Sequence, residues 1–297
     1  MSKRTAIPIT DIDGFRIGSS ENPDAATGVT VVVCEHGASA GVSVRGGGPA
    51  TRETELLSPN ATAEKIHAVV LSGGSAFGLN AGGGVMKFLE ERGIGYETAY
   101  GIVPLVCGAS LYDIGIGDGK IRPDMDMGYA ACESAFSGGD IRDGCFGAGT
   151  GATIGKYRGA EFMMKSGIGT AAVQIGKIQC GAIAAVNALG DVIDVDGTIL
   201  AGMRSPDGVG FANTAGLITG EVAVPKDVYN TNTTLGIILT NADITKSVSN
   251  RVAAVAHDGF ARAISPVHTS ADGDAIFTMA SGTEAGVEIN PDALAQL

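Results

Sequence analysis

Charge is scarce in this sequence. Asp, Glu, Lys and Arg make up 18% of its 297 residues, thin cover for a monomer, so part of the surface is expected to be buried between subunits. The charge present is mostly acidic, with a net −12 at pH 7. No cluster of Lys and Arg offers the basic face that nucleic acid requires, and anionic membranes are disfavoured for the same reason. An apolar run of about 18 residues free of breakers is lacking, so no transmembrane span is expected. The opening MSKRTAIPIT has two basic residues but no apolar stretch long enough for a signal peptide, which makes the cytoplasm the expected location. The five cysteines (34, 107, 132, 145 and 180) are odd in number, scattered, and form no CxxC pair. They are expected to be reduced, buried small hydrophobes. Four scattered histidines give no zinc-ligand spacing.

Glycine is abundant, with 46 residues, about twice the usual share. It shows no collagen period. Its neighbours are Ala, Val and Ile, in runs such as GAGTGATIG and LNAGGGV, which suits tight turns and close backbone approach. Hydrophobic residues make up 44% and the mean hydropathy is +0.22, so a sizeable core is expected and disorder is excluded.

Residues 28–35, GVTVVVCE, predict a buried strand, and 66–93 predict strand, glycine turn and helix, with Gly93 as the helix stop. Residues 126–136 predict a helix. Residues 169–202 carry Gly-Lys, Gly-Asp and Asp-Gly turns between apolar runs and predict an antiparallel meander. An exposed loop is expected over 204–216 and a strand over 235–240. Ile244, Val248, Val252, Val255 and Ala263 fall at helical spacing in 243–264, with Asp243 placed as the cap. The sum is a mixed chain with antiparallel strands in its second half, expected as helices outside stacked sheets.

The turn LSGGSAFGLNAGGG (71–84) follows a strand and leads into a helix, as a nucleotide-binding turn would. Gly73, Gly74 and Gly78 give GGxxxG, which is not the dinucleotide fingerprint, and no Lys-Ser/Thr pair of a P-loop follows. A tight turn against another backbone is the favoured reading.

A second stretch, NTNTTLGIILTN (230–241), drops from Asn and Thr directly into an apolar run. Polar loop followed by core is one reading. The other is an N-terminal nucleophile, which needs a hydroxyl residue at the start of a buried strand after a loop that can strain the bond to be cut. Self-cleavage there frees an α-amine, with a pKa of about 7.7–8.0, to act as the base for its own side chain. Asn232-Thr233 meets that requirement.

The segments RGGGPATRETELL (45–57), 68–93, GAGTGATIGK (147–156), NTTLGIILTNA (232–242) and HTSADGDAIF (268–277), in this order along nearly the whole chain, resemble the DmpA-type aminopeptidase and amidase family. Its relatives include β-aminopeptidases, nylon-oligomer hydrolases and, in fold, ornithine acetyltransferase. The resemblance implies an α+β four-layer αββα sandwich and a single domain cut into 1–232 and 233–297. It also implies a homotetramer and hydrolysis of small peptides, amino-acid amides or ω-amino-acid oligomers without metal or cofactor. Residue by residue, it assigns Thr233 as nucleophile, Asn187 as oxyanion donor, Lys156 as catalytic lysine, Asp272 and Asp274 as the acidic pair, and Tyr112 as a substrate contact. The β-aminopeptidase branch has an acid in the loop before that Tyr, where this chain reads Cys107-Gly108-Ala109-Ser110, so amidase or endo-type cleavage of linear amides is expected over capture of a free amine. Acyl transfer to an amine, a non-enzymatic nucleotide-binding glycine-rich protein and an uncleaved inactive member are the remaining alternatives.

Overall fold

The computed structural model describes residues 4–139, 141–220 and 231–297. The first half supplies β1 (Arg4–Ala6), β2 (Arg16–Asn22), the 18-residue β3 (Thr27–Val44), β4 (Ala50–Arg52), β5 (Ile66–Ser72) and α1 (Ala81–Glu90). A small hairpin of β6 (Tyr96–Thr98) and β7 (Gly101–Val103) follows, then β8 (Val106–Ser110) and α2 (Met125–Phe136). The second half supplies β9 (Thr153–Ile154), β10 (Met164–Lys165), β11 (Ile168–Ile175), β12 (Ile178–Asn187), β13 (Asp191–Ile193), β14 (Ile199–Ala201) and α3 (Thr214–Gly220). It ends with β15 (Thr233–Ala242), α4 (Lys246–Ala263), β16 (Ile264–Ser265), β17 (Ala275–Glu284) and α5 (Pro291–Gln296).

The length of β3 organises the molecule. Its N-terminal part pairs with β2 and β5, and its C-terminal part, beyond an irregularity between Val33 and Ala38, pairs with β17. One strand thus belongs to two sheets. The front sheet holds β2, β3, β5, β8 and β4; the back sheet runs β1-β11-β12-β15-β17-β3.

Alternation of side chains along the strands then fixes four layers. Val29, Val31 and Val33 face Val85, Phe88 and Leu89 of α1 and Ala131 and Cys132 of α2. Val32 and Cys34 face inward and meet Ile183, Leu235, Ile237 and Phe277 of the back sheet. The far side of the back sheet packs Cys180 and Ala280 against Val252 of α4 and Leu294 of α5. Central strands buried on both faces read as continuous apolar runs, which is why 28–35 and 235–240 stand out in the sequence.

The helix over 81–90 ends as expected. Gly93 takes φ +70°, and Ile94 donates its N–H to the Leu89 carbonyl at 2.9 Å. Several expectations need correction. The segment 169–202 is not one meander: β11 and β12 form a hairpin in the back sheet, but β12 pairs onward with β15, while β13 pairs with β14 and β16 in a separate small sheet. The cause is at Gly190, whose backbone lies so close to Pro266 that a Cβ there would sit 2.2 Å from the Pro266 carbonyl oxygen. The α4 cap is Thr245, whose hydroxyl accepts the Val248 N–H, not Asp243. Thr214, at the end of the expected loop, is buried and starts α3. Cys145 is exposed, while the other four cysteines are buried.

Candidate active site

The site forms where β12, β15 and β17 end together. In the antiparallel register of β12 with β15, Asn187 is the direct partner of Thr233, and both are buried. Thr233 has the same parity as Leu235 and Ile237, so its side chain belongs to the face between the sheets, as does that of Asn187 below Ile183 and Ala185. Thr234 belongs to the opposite face, and its buried hydroxyl has no hydrogen-bond partner among the described residues.

Asn187 is held rigidly. Its Oδ1 accepts from Lys156 Nζ at 2.8 Å, from the Thr153 N–H at 3.0 Å and from the Thr153 hydroxyl at 3.3 Å. Its Nδ2 donates to the Tyr112 carbonyl at 2.9 Å and to the Thr231 carbonyl at 3.2 Å. Lys156 Nζ also donates to the Asn187 backbone carbonyl at 3.0 Å and to the Thr231 carbonyl at 2.9 Å. Three oxygen acceptors around one nitrogen match the three hydrogens of an ammonium. Burial works the other way and lowers the amine from 10.5 to about 7, with Asp272 and Asp113 pulling it back up. The lysine is therefore poised between its charged and neutral forms near neutral pH.

The bond between Asn232 and Thr233 is also specifically held. The Asn232 carbonyl oxygen accepts the Gly273 N–H at 2.9 Å and the Thr233 hydroxyl, and Asn232 bridges in parallel to Asp272. Asp272 Oδ2 accepts the N–H and hydroxyl of Thr269 at 3.0 and 2.5 Å, and Oδ1 accepts the Leu189 N–H at 3.2 Å. Burial, and then the neighbouring Asp274, raise the Asp272 pKa. Asp274 Oδ1 accepts the Thr234 N–H at 2.6 Å. The two carboxylates thus bracket Thr233: one fixes the 269–272 turn and the other fixes Thr234.

Beside this cluster opens a cleft of about 190 Å³, lined in part by Tyr112, Asp113, Ile116, Lys156, Met163 and Thr231. A larger apolar groove of about 290 Å³ lies away from the cluster, on the outer face of β11 and β12; the smaller cleft is the one that adjoins the chemistry.

All the site residues expected from the sequence, Thr233, Asn187, Lys156, Asp272, Asp274, Asn232 and Tyr112, fall in this one region. Two departures stand out. Cys107–Ser110 is not a loop but the buried strand β8. An acid does line the cleft, Asp113, directly after Tyr112, but its carboxylate is committed to the Gly74 N–H and the Thr27 hydroxyl, both at 2.7 Å. That commitment also explains the glycine-rich turn. Gly74 has φ +80°, and a Cβ on Gly73 would lie 1.9 Å from Asp113 Oδ2, so the turn is shaped by packing on Asp113. Thr153, Gly273, His257 and His268 are site residues that the sequence reading missed. Thr153 lies in GAGTGATIGK, and His268 and Gly273 lie in HTSADGDAIF, so those three stood inside marked segments; His257, inside the α4 pattern, gave no signal.

A family model described as peptidase family S58 matches residues 8–296. The chain belongs to this family. An uncharacterized aminopeptidase of Mycobacterium tuberculosis is 38% identical over 304 residues, covering 96% of this chain and 83% of that protein. A 6-aminohexanoate-oligomer endohydrolase of Agromyces sp. is 30% identical over 272 residues, covering 91% and 73%. Among solved structures, the L-aminopeptidase D-Ala-esterase/amidase of Ochrobactrum anthropi superposes with a TM-score of 0.61 at 20% identity, covering 92% of this chain and 73% of that one. A Burkholderia sp. β-aminopeptidase superposes at 0.63 with 22% identity, covering 97% and 79%. The former is described as a variant of the Ntn hydrolase fold, and the αββα layering here is that fold. The S58 chain is accordingly a hydrolase of amide bonds.

Proposed function

We propose that this S58 chain is a self-processing amide hydrolase whose nucleophile is Thr233. The observation that carries the reading is the convergence on one peptide bond: Thr233 begins a buried strand opposite Asn187, and the carbonyl before it rests on the Gly273 N–H at 2.9 Å. Attack of Thr233 Oγ1 on the Asn232 carbonyl carbon places the developing oxyanion against that N–H. Collapse breaks the C–N bond as the proton lost from Oγ1 passes to the leaving nitrogen, which leaves an ester on Oγ1 and a free Thr233 amine. Water then hydrolyses the ester and releases fragments 1–232 and 233–297.

In the continuous chain the Thr231 carbonyl occupies both Asn187 Nδ2 and Lys156 Nζ. Once cleavage lets that carbonyl withdraw, the same donors are free to hold the oxyanion of a substrate amide. The Thr233 amine takes the hydroxyl proton, the substrate acyl group moves to Oγ1, and the leaving amine receives a proton. Water completes the cycle. The cleft beside Lys156, with Ile116 and Met163 in its wall and no uncommitted acid among the described residues that line it, favours linear amides such as small peptides, amino-acid amides or ω-amino-acid oligomers, with endo-type cleavage. A homotetramer in the cytoplasm completes the proposal. The apolar groove over β11 and β12 supports subunit contact, and five free cysteines suit a reducing compartment.

Intact mass of purified wild type and Thr233→Ala tests this. The wild type should split after Asn232 while the variant stays whole and fails to hydrolyse amides. A wild type that remains full length after long incubation, or a cut that persists in the variant, overturns the assignment.

A further inference from the structure

Behind the acidic pair stand two histidines that the chemistry above does not use. His268 Nδ1 lies 2.7 Å from Asp274 Oδ2, and the His268 backbone N–H donates to the same oxygen at 3.1 Å. His268 Nε2 lies 3.2 Å from His257 Nδ1, and His257 Nε2 lies 2.9 Å from the Ser43 carbonyl. The rings meet edge to face, with centroids 4.6 Å apart at 75°. The chain therefore runs from a β3 carbonyl through α4 and the 268–274 turn to the residue after the nucleophile.

Proton placement in this chain is almost fully determined. A carbonyl can only accept, so His257 Nε2 carries a hydrogen. His257 is held neutral, since burial takes it down to about 4; its Nδ1 is therefore a bare acceptor, and His268 Nε2 must donate to it. One more proton has to lie between His268 Nδ1 and Asp274. The carboxylate already accepts the N–H groups of Thr234 and His268, so the hydrogen in the 2.7 Å contact is donated from Nδ1. The backbone gives a second, independent sign: His268 is a non-glycine residue at φ +56°, an uncommon conformation that surrounding structure must enforce.

We infer that His268, backed by His257 and the Ser43 carbonyl, is the positioning residue for Asp274. It aims Oδ1 at the Thr234 amide by holding Oδ2 through its Nδ1 and backbone N–H. This inference rests on the reading of Thr233 as nucleophile, and the test separates the two.

Long-range ¹H–¹⁵N NMR of the wild-type protein near neutral pH reads the geometry without reference to activity. The expected result is His257 protonated on Nε2 alone and His268 protonated on both nitrogens, with its Nδ1 proton shifted downfield. A His257 protonated on Nδ1, or a singly protonated His268, overturns the inference whatever the fate of Thr233. Kinetics on an amide substrate of the wild type supply the second reading. His268→Ala is expected to lower kcat by about 10–100-fold with KM within about threefold. His268→Asn, whose amide N–H reaches the Nδ1 position, recovers most of that loss. A His268→Ala enzyme within twofold of wild type, or a His268→Asn enzyme no better than His268→Ala, overturns it. Loss of hydrolysis in Thr233→Ala is the separate check on the nucleophile.

Discussion

Replacing Lys156 with Met probes how Asn187, the proposed oxyanion donor, is held. The ammonium makes three hydrogen bonds of 2.8 to 3.0 Å, two to Asn187 and one to the Thr231 carbonyl. Hydrogen bonds to a charged group contribute about 1.5–3 kcal/mol each, but the buried ammonium also carries a desolvation cost that brings its pKa down to about 7. The two nearly cancel, so Lys156→Met should change global stability at neutral pH by no more than about 2 kcal/mol. Activity should behave differently. Asn187 Oδ1 would keep Thr153 but lose its strongest partner, and an oxyanion site with one donor lost and another loosened is expected to slow by about 10²–10³-fold. The linkage sign is fixed too. Between about pH 7 and 10.5 the unfolded chain holds the Lys156 proton more tightly than the folded chain. Stability should therefore rise with pH across that window in the wild type and lose that slope in the Met variant. Urea melts from pH 6 to 10 and initial rates on one amide substrate measure both. A Met variant that hydrolyses within threefold of wild type would refute the argument that Lys156 holds the donor.

Asn187→Ala should cost about 10²–10³-fold in kcat with less change in KM; equal losses in a variant that has also lost several degrees of melting temperature would point to misfolding instead. Because Asp113 is committed to Thr27 and Gly74, N-acetylated and free-amine forms of one linear amide should be cleaved with kcat/KM within about tenfold, the gap worth about 1.4 kcal/mol. A preference for the free amine beyond 100-fold would sink the endo reading. Gly84 lies where α1 crosses α2, and a Cβ there would come 1.7 Å from the Met125 carbonyl oxygen. Gly84→Ala should destabilise by about 3 kcal/mol despite better helix propensity, as read by denaturant midpoint. An unchanged midpoint would show that the helices can separate at no cost.

Much of the fold was legible because it rests on local pattern. Strands buried on both faces require unbroken apolar runs, so 28–35 and 235–240 declared themselves, and the periodicity of Ile244, Val248 and Val252 gave α4. Where several local signals competed, the sequence was misleading. Asp243 and Thr245 are both capping residues, and only the trajectory out of β15 selects Thr245. The Gly and Asp turns of 169–202 look alike, yet one closes a hairpin and another sends the chain into a different sheet, because Pro266 presses on Gly190.

Within the site the same division holds. Chain order and residue type alone marked Thr233 as a hydroxyl at a strand start, and family resemblance brought Asn187, Lys156, Asp272, Asp274 and Tyr112 with it. What each of them touches depends on contacts far apart in sequence. The register of β12 on β15 sets Asn187 against Thr233, the parallel pairing of β15 with β17 sets Asp274 beside Thr234, and packing of α4 on the back sheet brings His257 to His268. Composition and periodicity report how much of each segment is buried. They carry no information about which buried segment lies next to which, because that choice is made by sheet register and layer packing, and those exist only once the chain has folded.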